Sequence, residues 1–144
     1  MNDLEANKAV AREFLAALGR ADKARVGAVL HPDCRAIATG TCALSGERDR
    51  DAVLLTVGML GQATQDGITF SIISMTAEED RVSAEVEGRS MLASGNPYNN
   101  QYHFLFRVRD GRIIELKEYF CTKLAEDVLL PETSALARRN TCAR

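Results

Sequence analysis

Asp110-Gly111 stands between two apolar-rich runs, and nothing else in this 144-residue chain restricts the possible folds as much. A two-residue type I′ turn needs positive φ, which glycine adopts readily, so the dipeptide predicts a β-hairpin from Tyr98 to Cys121. The turn also predicts a register. With Arg109 opposite Arg112, His103 falls opposite Glu118, Leu105 opposite Leu116 and Arg107 opposite Ile114, all on one face. Tyr102, Phe104, Phe106, Val108, Ile113, Glu115, Lys117 and Tyr119 take the other face. A tight reversal over Ser94 to Tyr98 adds Val86, Gly88 and Ser90 to the His103 side, and Glu85, Glu87 and Arg89 to the opposite side.

The rest of the chain divides into a helical first half and a strand-rich second half. Residues 3 to 19 carry Val10, Ala11, Phe14, Leu15, Ala17 and Leu18 at helical spacing, with Asn2 and Glu5 resembling a capping box. Asp22 caps a second short helix that stops at His31-Pro32-Asp33, because a residue before proline avoids helical geometry. A strand is expected from Cys34 to Thr39, a polar loop from Ser45 to Arg50, and a third helix from Asp51 to Gln65. From Ile68 onward four runs rich in β-branched and aromatic residues follow, ending in the hairpin. This segregation predicts an α+β fold with helices on one face of an antiparallel sheet. Thr122 caps a last helix that Pro131 ends, so residues 1–130 form one domain and 131–144 a loose polar tail.

Composition removes several classes of function. A net charge of −2, with no basic stripe, lacks the electrostatic footprint of nucleic-acid binding. No window is apolar enough to span a membrane, and the acidic start of the chain is unlike a signal peptide, so a cytoplasmic protein is expected. Cys34, Cys42, Cys121 and Cys142 form no C-x-x-C pair and have no histidine at metal-ligand spacing, so reduced thiols and no metal site are expected.

On the expected register, His103 and Glu118 lie side by side on an apolar wall. Such an imidazole and carboxylate make an acid and base pair, since desolvation raises the carboxyl pKa and a carboxylate favours imidazolium. The same spacing equally describes a cross-strand hydrogen bond that satisfies two polar groups. Phe14, Leu18, Leu54 and Met59 on the helix faces, with Ser90 and Leu105 on the sheet, would line the pocket. The opposite face, carrying Tyr102, Phe104, Phe106 and Tyr119 among charges, suggests a homodimer contact.

The run from Asn99 to Cys121, NNQYHFLFRVRDGRIIELKEYFC, together with the helical first half and the Leu30-His31-Pro32-Asp33-Cys34 entry to the first strand, resembles the SnoaL-like branch of the NTF2-like superfamily. The resemblance spans residues 3 to 130, and its most specific part is the D-G-R-I-x-E-x-x-E-Y block. It implies a cone in which N-terminal helices pack on a strongly bent sheet around a hydrophobic pocket. Relatives of this kind are usually dimeric, and include polyketide cyclases, ketosteroid isomerases, epoxide hydrolases and proteins of unassigned activity. His103 matches the position where an isomerase keeps a protonated carboxylic acid, and Leu116 and Phe120 match pocket positions. Thr39 stands near the isomerase general-base position, and Cys121 replaces an aspartate common in an E-Y-x-D-T pattern.

Two functions follow as expectations. One is a cofactor-independent isomerase or cyclase in which His103 and Glu118 move a proton beside a carbonyl of a small apolar molecule. The other is a non-enzymatic ligand-binding or dimerisation module. Cys121 belongs to the expected pocket in either case.

Overall fold

Residues 3–142 are described by the structure, a computed structural model of the chain. Helix α1 covers Leu4–Gly19, α2 Lys23–Val29 and α3 Arg50–Ala63. Strands are β1 Leu30–Ala38, β2 Gly46–Asp49, β3 Thr69–Glu78, β4 Arg81–Arg89, β5 Asn100–Arg109 and β6 Arg112–Phe120. Each of the three helices begins on an aspartate whose carboxylate accepts an orphan backbone N–H of the first turn: Asp3 from Ala6, Asp22 from Arg25, Asp49 from Ala52. Asn2, expected in the first cap, lies outside the described residues.

The strands form one six-stranded sheet in the order β2-β1-β6-β5-β4-β3. It is mixed rather than antiparallel, because β1 runs parallel to β6. One helix and four strands intervene between these neighbours, long enough for the crossover that a parallel pair requires. Strand β1 starts at Leu30, earlier than expected, and the supposed polar loop contains β2, paired antiparallel with β1. Alternation in Gly46-Glu47-Arg48-Asp49 is too short and too polar to advertise a strand.

The Asp110-Gly111 turn has φ of 52° and 73°, the double positive φ of a type I′ turn. Arg109 opposes Arg112 and Val108 opposes Ile113, as expected. Beyond them the ladder shifts by one residue at a β-bulge, so Arg107 opposes Glu115, Phe106 opposes Leu116, Phe104 opposes Glu118 and His103 opposes Tyr119. A side-chain period of two makes this slip decisive, since it reverses the face of every later residue on β6 relative to β5. Phe104 and Glu118, not His103 and Glu118, share a face.

The inner face packs against the helices. Tyr102, Phe104 and Phe106 stack along β5 with centroids 5.4 and 5.9 Å apart, and Phe14 of α1 meets Phe106 edge-on at 5.7 Å. Phe14, Phe104 and Phe106 are essentially sealed from solvent. Tyr102, Phe104 and Phe106 therefore belong to the core of one subunit, and the assignment of these three to an outer dimer face is corrected; Tyr119 alone of the four is exposed. Gly88 on β4 makes room for this stack, because a Cβ there would come 2.8 Å from the Tyr102 ring.

The C-terminal segment also departs from expectation. After α4, Thr122–Leu124, a π-helical turn covers Ala125–Leu129, and α5 then continues from Leu130 to Cys142. Pro131 does not end the helix, and the expected loose tail is helical through Cys142. In an α-helix a proline clashes with the carbonyl four residues back. Here the wide turn before it shifts bonding to i−5, with the Leu130 N–H donating to the Ala125 carbonyl, which relieves that conflict at the first turn of α5.

Candidate functional site

The helices and the inner sheet face enclose a cavity of about 160 Å³. Its floor is β5 and β6, where Tyr102, Phe104, Leu116, Glu118 and Phe120 point inward. Phe14 and Leu18 of α1 and Val53 and Val57 of α3 form the helical wall. Ala125 and Leu129 of the π-helical turn close one side, held down by packing on Leu92 and Tyr98. Five polar side chains interrupt this apolar lining: Arg48, Thr56, Tyr98, Tyr102 and Glu118, the Thr56 hydroxyl being spent on the Ala52 carbonyl of its own helix at 3.0 Å.

Glu118 is the one carboxylate on the cavity wall among the described residues. The residue is half-buried. Burial among apolar groups pushes its carboxyl up to about 7, against the weaker opposing pull of the Arg48 guanidinium. An ordinary glutamate would be fully ionised at neutral pH; this one divides between acid and base forms.

Tyr98 and Tyr102 supply hydroxyl groups beside it. Burial raises the Tyr98 pKa against hydrogen bonds from Asn100 and Tyr102, and burial, with Tyr98 and Glu118 nearby, holds Tyr102 well above its usual value. Both phenols stay protonated and able to donate. Asn100, almost fully buried, fixes the arrangement: its Nδ2 donates to the Tyr98 hydroxyl at 2.9 Å and to the Cys121 carbonyl at 3.1 Å. Its Oδ1 accepts from the Gln101 and Cys121 amides, at 2.8 and 3.3 Å. One side chain thus ties the start of β5, the end of β6 and Tyr98 together.

Of the residues expected around the pocket, Phe14, Leu18, Leu116, Phe120 and Glu118 lie on the cavity wall. His103 does not. It is exposed on the outer face between Glu85 and Tyr119, with its Nε2 hydrogen-bonded to the Ser83 hydroxyl. The bulge between Arg107 and Val108 and their partners separates His103 from Glu118 by the thickness of the sheet, and the expected pair is corrected accordingly. Leu105 lies outward with His103 for the same reason. Leu54 packs on the core beside Gly27, and Met59 is partly solvent-exposed on α3. Ser90 donates to the Gly67 carbonyl at 3.1 Å in a separate shallow depression. Cys121 is exposed at the N-terminus of α4.

Sequence reasoning missed Arg48, Tyr98 and Tyr102. Tyr102 was visible as part of the hairpin but assigned to the wrong face. Arg48 carried a signal only in the alternation of β2, where Glu47 and Asp49 point one way and Arg48 the other. Among the described residues no group of three or more His, Cys, Asp or Glu could hold a metal ion, and no helix is long and apolar enough to cross a membrane.

A family model described as a SnoaL-like domain matches residues 11–116. No curated protein sequence matches the chain. Among solved structures, an NTF2-like protein from Burkholderia xenovorans is 23% identical, with a TM-score of 0.69 over 86% of this chain and 96% of that one. PrhC from Penicillium brasilianum is 16% identical, with a TM-score of 0.80 over 92% and 91% of the two chains. A putative isomerase from Bacillus subtilis is 18% identical, with a TM-score of 0.77 over 90% and 96%. At these identities the structural matches speak to the fold.

Proposed function

This chain belongs to the SnoaL-like family of the NTF2-like superfamily, and on that premise we propose that it binds a small apolar carbonyl compound and moves a proton on it without a cofactor, as an isomerase or cyclase does. The observation that carries the reading is the Glu118 carboxyl, poised near 7 on an apolar cavity wall beside two protonated phenols. In its ionised form Glu118 takes a proton from the carbon next to the carbonyl. The enolate oxygen accepts hydrogen bonds from the Tyr98 or Tyr102 hydroxyl, which cost little reorganisation because Asn100 already orients Tyr98. Glu118, now protonated, returns the proton to another carbon. His103 has no part in this step.

The test is solvent deuterium exchange into a panel of small cyclic ketones and 1,3-diketones, followed by mass spectrometry. Exchange above background that disappears in Glu118→Gln supports the reading; exchange unchanged by Glu118→Gln overturns it. Binding without turnover is the second reading. It is favoured by Glu118 being the sole carboxylate on the cavity wall among the described residues, with no second acid or base to relay its proton. Ligand-induced thermal stabilisation with no exchange would select it.

A homodimer through the outer sheet face remains part of the proposal, with different residues. Leu105 and Tyr119 of adjacent strands, rather than Tyr102, Phe104 and Phe106, supply its apolar part, beside Lys117, Glu85 and His103. Sedimentation equilibrium with Tyr119→Glu tests this. A cytoplasmic setting fits the free thiols of Cys34, Cys42 and Cys121.

A further inference from the structure

Among the described residues Arg48 is the one cation on the cavity wall, and its position follows from its neighbours being committed elsewhere. Glu47 pairs with Arg35 on the outer face through two hydrogen bonds of 2.7 and 2.9 Å, and Asp49 caps α3 at 2.9 Å. Strand alternation then turns Arg48 inward. Among the described residues its guanidinium donates one hydrogen bond, to the Leu44 carbonyl at 3.0 Å, and forms no ion pair. Five N–H donors on a planar fork with one used leaves most of that capacity without a partner among the described residues, on a half-buried side chain that lines the cavity.

A cation beside an apolar cavity is costly unless an anion completes it. The protein's own candidate is Glu118, which shares the wall but whose carboxyl holds its proton up to about 7 and so provides at most a partial counter-charge. The Tyr98 and Tyr102 phenols are neutral. The charge on Arg48 is therefore left for a ligand to match.

Size limits that ligand. An apolar cavity of roughly 150 Å³ holds a single benzene molecule, and the cavity here is about 160 Å³. We propose that Arg48 makes this cavity selective for the monoanion of a small apolar carboxylic acid of about one ring's bulk, its carboxylate paired with the guanidinium and its hydrocarbon resting on Phe14, Leu18 and Phe104. The inference deepens the pocket reading and rests on it: the substrate class is a single-ring or similarly short apolar acid anion that carries its reacting carbonyl in addition to the carboxylate, not a neutral polycyclic compound.

Benzoate and benzamide are isosteric and differ in charge, which makes them the probes. Isothermal titration near neutral pH should show benzoate binding at least about tenfold more tightly than benzamide, as expected of a charge-assisted bidentate pair. Arg48→Gln should bring the two affinities together, and Arg48→Lys, which keeps the charge and loses the fork, should fall between. Equal binding of both compounds by the unaltered protein overturns the inference and leaves the apolar pocket standing. Binding of neither overturns both. A benzoate preference that survives Arg48→Gln, with the fold verified by circular dichroism, also overturns the role of Arg48; if that variant does not fold, the unaltered protein and Arg48→Lys still decide.

Discussion

Phe104 lies directly across the ladder from Glu118, so a fully buried aromatic ring and a titrating carboxyl share the concave face of the sheet. The ring supplies part of the apolar surroundings that raise the carboxyl pKa. His103, one residue away along β5, is turned outward by the same geometry.

That placement sets the pH dependence of stability. Glu118 holds its proton up to about 7 in the folded protein, against an ordinary value of 4.5 when exposed. Below about 4.5 both states are protonated and the group contributes nothing to pH dependence. Between the two values the folded state binds the extra proton, so stability falls as pH rises, and the loss levels off above the folded pKa. The full shift corresponds to an upper bound of about 3 kcal/mol. Urea titrations at a series of pH values should show this slope in the natural chain, and Glu118→Gln should flatten it and be the more stable protein on the alkaline side.

Activity should separate the two hairpin residues once considered partners. Glu118→Gln should lower proton-exchange turnover by about 10²–10⁴-fold, the usual contribution of a positioned acid or base. His103→Ala should leave it within a factor of about two, since the imidazole is on the far side of the sheet. Parallel rate measurements on the two variants check this, and a large loss in His103→Ala would place the reaction outside the cavity.

Asn100→Ala should destabilise the protein by about 2–4 kcal/mol, because it strips partners from the Tyr98 hydroxyl and from both backbone groups of Cys121 at once. Thermal denaturation reads the stability. Near-ultraviolet circular dichroism, sensitive to tyrosine surroundings, should change with it.

The thiols should differ sharply in reactivity. Cys34 is almost completely buried, and burial pushes its thiol up to about 11 against the influence of Arg50. Cys121 is exposed. Iodoacetamide labelling of the native protein with peptide mapping should modify Cys121 readily and spare Cys34 until the protein is unfolded.

How much of this could be read in advance varies by element. The type I′ turn, the helix caps at Asp22 and the apolar faces carrying Phe14 and Leu18 were legible because each depends on a few neighbouring residues. The family was legible in the D-G-R-I-x-E-x-x-E-Y block. The cavity wall was half legible: Leu116, Phe120 and Glu118 were expected there, while Arg48, Tyr98 and Tyr102 were not.

What the amino-acid sequence determined by itself was local: which segments are helices or strands, where the hairpin turns, and which residue types are available for chemistry. What the tertiary structure decided was pairing across distance. The parallel contact of β1 with β6 and the continuation of the helix past Pro131 both depend on neighbours that no local window contains. The bulge on β6 is the sharpest case, because one unpaired residue reverses an entire face, and nothing in Arg107-Val108 or Ile113-Ile114-Glu115 announces it. With the bulge in place, the face that carries the Tyr102, Phe104 and Phe106 stack came to hold Glu118 and Arg48 without His103.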